Sequence, residues 1–199
     1  MRRLWWLPLP IGLMVSFQGS ADSATWDLTS ASDYDYSIDE IVISDGAAAL
    51  LGATGSGLDG DLTVTKDTFD LSADASGSRS VADGASWSVT STLSAGGTTV
   101  ALDSYTAGLA VGDELLIADL QGATSDYADV GTWELVRVTA LSGSTASVTA
   151  LQADYDGTSH VVFAQRVPSY GDVTLTTATL TTSAFDGATG GLVAFRASG

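Results

Sequence analysis

Few residues in this chain have side chains suited to chemistry. There is a single histidine, His160, placed directly before the apolar pair Val161-Val162, and no cysteine. One imidazole cannot build a multi-histidine metal centre, and no serine sits in a Gly-x-Ser-x-Gly elbow that His160 could serve as base. His160 therefore reads as a structural or loop-edge residue. Among carboxylates, Glu114 and Glu134 fall in the strand-rich part of the chain, and Glu134 follows Trp133, a residue type that stacks on sugars. Glycoside hydrolysis needs two carboxyl groups about 5–10 Å apart. Aspartates are so abundant here that chance carboxylate pairs are expected, so no catalytic residue is assigned and the chain is expected to have no enzymatic activity.

Calcium is the remaining chemistry to weigh. Asp59, Asp61, Asp154 and Asp156 lie close to glycines in turn-like segments, and hard cations take several oxygen ligands from flexible loops. Neither the twelve-residue spacing of an EF-hand nor a Gly-Gly-x-Gly-x-Asp repeat is present. Aspartate also closes turns by accepting from nearby backbone amides, which is the commoner role. No other cofactor is implied. The Gly-rich run Gly52-Ala53-Thr54-Gly55-Ser56-Gly57 has no following lysine to complete a phosphate-binding loop. Trp26, Trp87 and Trp133 sit in alternating segments that suit a core, whereas Tyr34, Tyr36, Tyr127 and Tyr155 lie in loops where they could contact a sugar or a protein.

The charge narrows the partners. Seven Lys and Arg stand against 24 Asp and Glu, for a net −17 at pH 7. So few basic residues cannot form the basic face that nucleic-acid binding requires, and an anionic membrane surface would repel the chain. At the N-terminus, Arg2 and Arg3 precede an apolar run from Leu4 to Phe17, then Gln18-Gly19-Ser20-Ala21. A positive start, a short apolar stretch and small exit residues describe a secretory signal peptide over 1–21, with a mature chain beginning near Asp22. The run is shorter than the roughly 20 apolar residues a bilayer needs, and Pro8 and Pro10 interrupt it. The expected location is therefore secreted or at the cell surface, without membrane insertion.

The elements that would position these residues are strands. Thr, Val, Gly and Asp-rich turns dominate, and no window sustains apolar residues at helical period, so the fold class is all-β with almost no helix after the leader. In residues 22–85, Ile41-Val42-Ile43, the turn Asp45-Gly46 and Ala47 to Leu51 suggest a hairpin. Leu62-Thr63-Val64 and the segment Thr68 to Ser72 suggest a second pair. From 86 to 168, short strands recur at intervals of about ten residues, as in a small sandwich or barrel. Trp87 and Val89, Val100 and Leu102, Glu114 to Ala118, Trp133 to Ala140, and His160 to Val167 carry that pattern. After Pro168 the strands become very short and Thr-rich, like the start of a β-solenoid over 169–199. Leu192, Val193 and Phe195 are then expected to stand uncovered at an edge that recruits a second copy, unless the natural polypeptide continues.

Three stretches together carry a resemblance. They are Leu109 to Gly122, Gly131-Thr132-Trp133-Glu134, and Arg166-Val167-Pro168-Ser169-Tyr170-Gly171-Asp172-Val173-Thr174, with Trp26-Asp27-Leu28 before and Gly190 to Ala197 after them. In this order they resemble the N-terminal region of large bacterial secreted surface proteins, some labelled gliding-motility-related. In those proteins a solenoid or laminin-G-like modules typically follow. The resemblance implies a secreted or cell-surface structural or adhesive module without catalysis. The alternative is a non-catalytic carbohydrate-binding accessory module of a secreted polysaccharide-degrading enzyme. Surface glycans or other surface proteins are the expected partners.

Overall fold

Residues of high β-propensity, punctuated by Gly and Asp turns, build strands and no helix among the described residues. The computed structural model describes residues 43–44, 56–65, 67–104 and 106–198. In chain order its strands are β1 (Ile43–Ser44), β2 (Leu62–Val64), β3 (Asp67–Asp70), β4 (Ser86–Ser88) and β5 (Thr92–Leu93). Next come β6 (Thr99–Ala101), β7 (Glu114–Gln121), β8 (Trp133–Ser142), β9 (Thr145–Val148) and β10 (Tyr155–Asp156). The last are β11 (Val161–Val167), β12 (Ser169–Tyr170), β13 (Val173–Leu175), β14 (Ala178–Thr181) and β15 (Arg196–Ala197). The all-β expectation holds. The expected signal peptide over 1–21, the expected Asp45-Gly46 turn, Trp26, Tyr34 and Tyr36 lie outside the described residues.

Six strands form one antiparallel sheet in the order β4-β11-β7-β8-β9-β6. The sheet curls until its two outer strands touch. A bridge joins Val89 to Leu102, with Thr90 N donating to Ala101 O at 3.0 Å and Asp103 N to Ser88 O at 3.0 Å. The result is a small barrel filled by Trp87, Val100, Leu115, Ile117, Val136 and Val138, all 5% exposed or less. Burying each such aliphatic side chain contributes roughly 1.5–3 kcal/mol. The Gly112-Asp113 turn that feeds β7 needs the positive φ of +98° that Gly112 supplies. Strand β7 is buried on both faces from Leu115 to Asp119. Leu115 and Ile117 point into the barrel, whereas Leu116 and Ala118 join Phe163, Val167 and Ala194 in a separate cluster outside it.

Two further pairs are antiparallel, β5 with β10 and β1 with β14. The remaining pairs are parallel: β2 with β13, β3 with β14, and β12 with β15. The geometry is that of successive coils of a β-solenoid. The first two coils meet across 111 residues, the separation of Asp61 from Asp172, because the barrel intervenes. The third returns after only 27, the separation of Gly171 from Ser198. Leu62, Leu71, Tyr170, Leu180, Val193 and Phe195 fill the space between the coils.

Two expectations are corrected here. Leu62–Val64 and the segment from Thr68 do not pair with each other, because each finds a parallel partner far along the chain. Nor do the C-terminal apolar residues stand uncovered: Val193, Ala194 and Phe195 are each 5% exposed. Val193 and Phe195 face the coils and Ala194 faces the barrel wall, so this segment lies between the two bodies and is wetted by neither side.

Candidate functional site

Glu114 and Glu134 do not form a carboxylate pair. Glu114 lies opposite Arg137 and Glu134 opposite Ile117 in an unbroken β7–β8 register. Directly opposed residues share a face and odd spacing along a strand reverses it, so the two glutamates project from opposite sides of the sheet. Glu114, outside the barrel, binds the Arg196 guanidinium through both Nε and Nη2. Glu134 accepts from the backbone N of Gln152 at 2.9 Å and of Ala153 at 3.2 Å. A glycosidic bond cannot lie between them.

The four turn aspartates are also spoken for. Asp154 Oδ1 accepts from Ala95 N at 2.8 Å, and Asp61 Oδ1 from Asp172 N at 3.0 Å. Asp156 Oδ1 accepts from Thr158 N and Oγ1 and from Ser159 N, and these donors hold its carboxyl down to about 2. Asp59 accepts from the Arg166 guanidinium at 2.6 and 2.8 Å and from Ser169 N at 2.7 Å. No group of three or more His, Asp or Glu suited to a metal ion occurs among the described residues. Trp87 fills the barrel as expected, while Trp133 is half-buried on its outer wall. Tyr127 is 60% exposed, but Tyr155 is 1% exposed and part of the barrel core, so it is not a surface contact.

The polar group that sequence reasoning missed centres on His160. Asp119 continues the inward-facing series Leu115, Ile117, and His160 precedes the inward-facing Val162 and Ala164. The two meet at one mouth of the barrel, His160 Nδ1 to Asp119 Oδ2 at 2.6 Å, with side chains 1% and 0% exposed. Burial and the nearby Glu134 charge push the Tyr155 phenol, also close to Asp119, above its usual value. His160 Nε2 is buried and makes no hydrogen bond among the described residues; Asp126 Oδ2 stands 3.9 Å away. The bond to Asp119 raises the His160 imidazole above its ordinary value, as expected when a carboxylate favours the charged form. On another side of His160 opens a cleft of about 440 Å³, with Ser88, Thr90, Thr158 and Gly187 in its walls. Gly157 also lines it, and a Cβ there would come within 2.7 Å of the carbonyls of Val89 and Ser91. An aspartate ending an apolar run was the available signal: so placed, it needs a partner.

A second polar group ties the two bodies together. Arg166 is 3% exposed and reaches Asp59 in the first coil, Asp113 before β7, and the carbonyl of Asp83. Asp83, fully buried, accepts from Tyr170 Oη at 2.6 Å and from Ser76 N at 3.1 Å, and Arg79 Nε stands 3.8 Å from it. Gln165 Nε2 donates to Leu192 O at 3.1 Å. Three of these contacts cross between the bodies: Arg166 to Asp59, Tyr170 to Asp83, and Gln165 to the carbonyl of Leu192 in the segment between them. Arg166 and Asp113 were within stretches read for their strands, and nothing in their spacing announced a shared ion pair.

The fold and its polar groups thus define a class: a small antiparallel barrel fixed by buried ion pairs to stacked parallel coils. No family model and no curated protein matches the chain. Among solved structures, the Gp54 tailspike of Acinetobacter baumannii bacteriophage AP22, in complex with A. baumannii capsular saccharide, is 17% identical with a TM-score of 0.35. That match covers 45% of this chain and 16% of the tailspike. The tailspike gp49 of Pseudomonas phage LKA1 is 21% identical, with a TM-score of 0.33, over 52% of this chain and 22% of its own. The tailspike gp61 of Pseudomonas phage phi297 is 17% identical, with a TM-score of 0.32, over 59% of this chain and 21% of its own. This chain spans about a fifth of the length of these tailspikes.

Proposed function

We propose that this is a secreted or cell-surface structural and adhesive module without catalysis, in which parallel coils hold a barrel in a fixed attitude. The observation that carries this reading is the buried Arg166 network. Charges are expensive to bury and are tolerated where geometry satisfies them, and here they fix one body against another. The most buried carboxylates serve internal bonds: Asp83 to Tyr170, Asp119 to His160, Asp59 to Arg166. Acidic surface with little positive charge suits an exported chain kept soluble by self-repulsion.

A second reading, a carbohydrate-binding accessory module, is favoured by the hydroxyl-bearing cleft beside His160 and by exposed Tyr127. One experiment separates the readings. The chain is applied to a glycan array and, in parallel, incubated with neutral and acidic polysaccharides while reducing ends are assayed. Neither retention nor new reducing ends is expected of a purely structural module. Retention that weakens on Tyr127→Ala, or on substitution in the cleft, favours the accessory module. Release of reducing ends overturns both.

A further inference from the structure

The loop between β7 and β8 is held by short-range bonds of its own. Asp126 N donates to Ala123 O at 3.0 Å, Val130 N to Tyr127 O at 3.3 Å, Thr132 N to Asp129 O at 2.9 Å, and Gly131 N to Asp119 O at 2.8 Å. Asp126 Oδ1 accepts from Ala128 N at 3.5 Å and leaves Oδ2 toward the barrel. From Thr124 to Asp129 every residue is exposed, with Tyr127 near its crown. Beneath it lies the buried imidazole of His160, whose Nδ1 is engaged by Asp119 while Nε2 faces the Asp126 carboxylate across 3.9 Å. We propose that His160 is a proton-operated latch that fixes the β7–β8 loop, and with it Tyr127, through Asp126.

The physical basis is a change of sign at Nε2. With both ring nitrogens protonated, Nδ1–H donates to Asp119 and Nε2–H presents positive charge to the Asp126 carboxylate across 3.9 Å, within ion-pair range. When the ring loses one proton, Asp119 retains Nδ1–H, and Nε2 becomes a lone-pair acceptor facing a carboxylate. Two acceptors then oppose each other and the loop loses its hold. The groups facing the ring are acidic: Asp119 from β7, Asp126 from the loop and Asp156 from β10, with Asp129 behind Asp119. All favour the charged ring. Because the folded-state value is raised above 6.5, the latch is fully closed below 6.5 and opens as pH rises through the raised value.

The single histidine makes the test direct. The imidazole carbon-bound proton signals of the full chain are titrated by NMR, and backbone protection factors of residues 122–131 are followed over the same range. Protection is expected to fall several-fold in step with the imidazole titration. Asp126→Asn, at an exposed position that the core does not need, should lower the imidazole pKa and remove the pH dependence of loop protection while leaving barrel amides unchanged. Loop protection that ignores the imidazole titration overturns the proposal, as does an unchanged pKa in Asp126→Asn. A His160→Gln chain that folds should show a loop insensitive to pH; retained sensitivity there also overturns it.

Discussion

The barrel and the coils bury the same kinds of side chain but close their backbone hydrogen bonds by different routes. In the barrel, antiparallel neighbours such as β7 and β8 or β8 and β9 follow each other directly, and the sheet shelters its edges by curling until β4 and β6 meet. In the coils each strand has only two to four residues and finds a parallel partner in another turn of the chain. A stack of that kind has little support within one coil and depends on its neighbours. Here the neighbour is the barrel as much as the next coil: Ala194 packs on the barrel wall between Val193 and Phe195, which pack on the coils. The difference teaches that the coils are stable where they are because a self-sufficient body is bolted to them.

Breaking the bolt should have the largest effect. Arg166→Ala leaves Asp113 without this buried cation and Asp59 with only the more distant Arg79 at 3.5 Å, a class of change that costs about 3–5 kcal/mol. Urea unfolding followed by circular dichroism, with tryptophan fluorescence reading the barrel through Trp87 and Trp133, is expected to show a large loss and to split into two transitions, the coils first. A single transition at wild-type midpoint would mean that the network is not what joins the bodies. Phe163→Ala, on the outer wall at 0% exposure, and Leu180→Ala, inside the coils at 0%, sharpen the comparison. Costs of about 3–5 and 2–5 kcal/mol are expected from the cavities left. If the two bodies are coupled, both substitutions shift the same calorimetric peak.

Smaller effects test single contacts. Tyr170→Phe removes the donor to buried Asp83 and should cost about 1–3 kcal/mol, lowering the melting temperature of both bodies, since Tyr170 sits in the coils and Asp83 in the segment leading to the barrel. The smallest concerns Asp156, whose carboxyl titrates at about 2 instead of 3.8. A depressed folded value stabilises above 3.8, and that contribution is lost as pH falls from 3.8 through about 2. Thr158→Ala should move the titration, read from carboxyl carbon shifts, upward with little change in stability, because the turn is exposed.

The barrel was largely legible because period-two alternation in β4, β6 and β8 reports directly on a sheet with one wet face. Alternation fails in β7, where Leu115 to Asp119 are all buried, because the strap carrying Ala194 covers the outer wall; no local pattern encodes that. The coils were legible only as short Thr-rich strands. Leu62–Val64 reads the same whether its partner is Thr68 or Val173, since a parallel partner leaves no trace in the intervening turn. Among the polar groups, His160 was visible as a residue and invisible as a pair, because Asp119 is 41 positions away and meets it only across the β7–β11 register.

The 111-residue gap between the first two coils also bears on how the chain assembles. Closing it costs about two doublings of loop length more than closing the 27-residue gap, on the order of 1.2 kcal/mol of chain entropy. A folded barrel removes most of that cost by bringing its own ends together. During synthesis at roughly 5–20 residues per second, the strand Leu62–Val64 emerges on the order of ten seconds before Val173–Leu175 exists. For that interval its backbone edge is unpaired, and Asp59 and Asp61 just before it put charge beside the edge, a device that disfavours premature pairing.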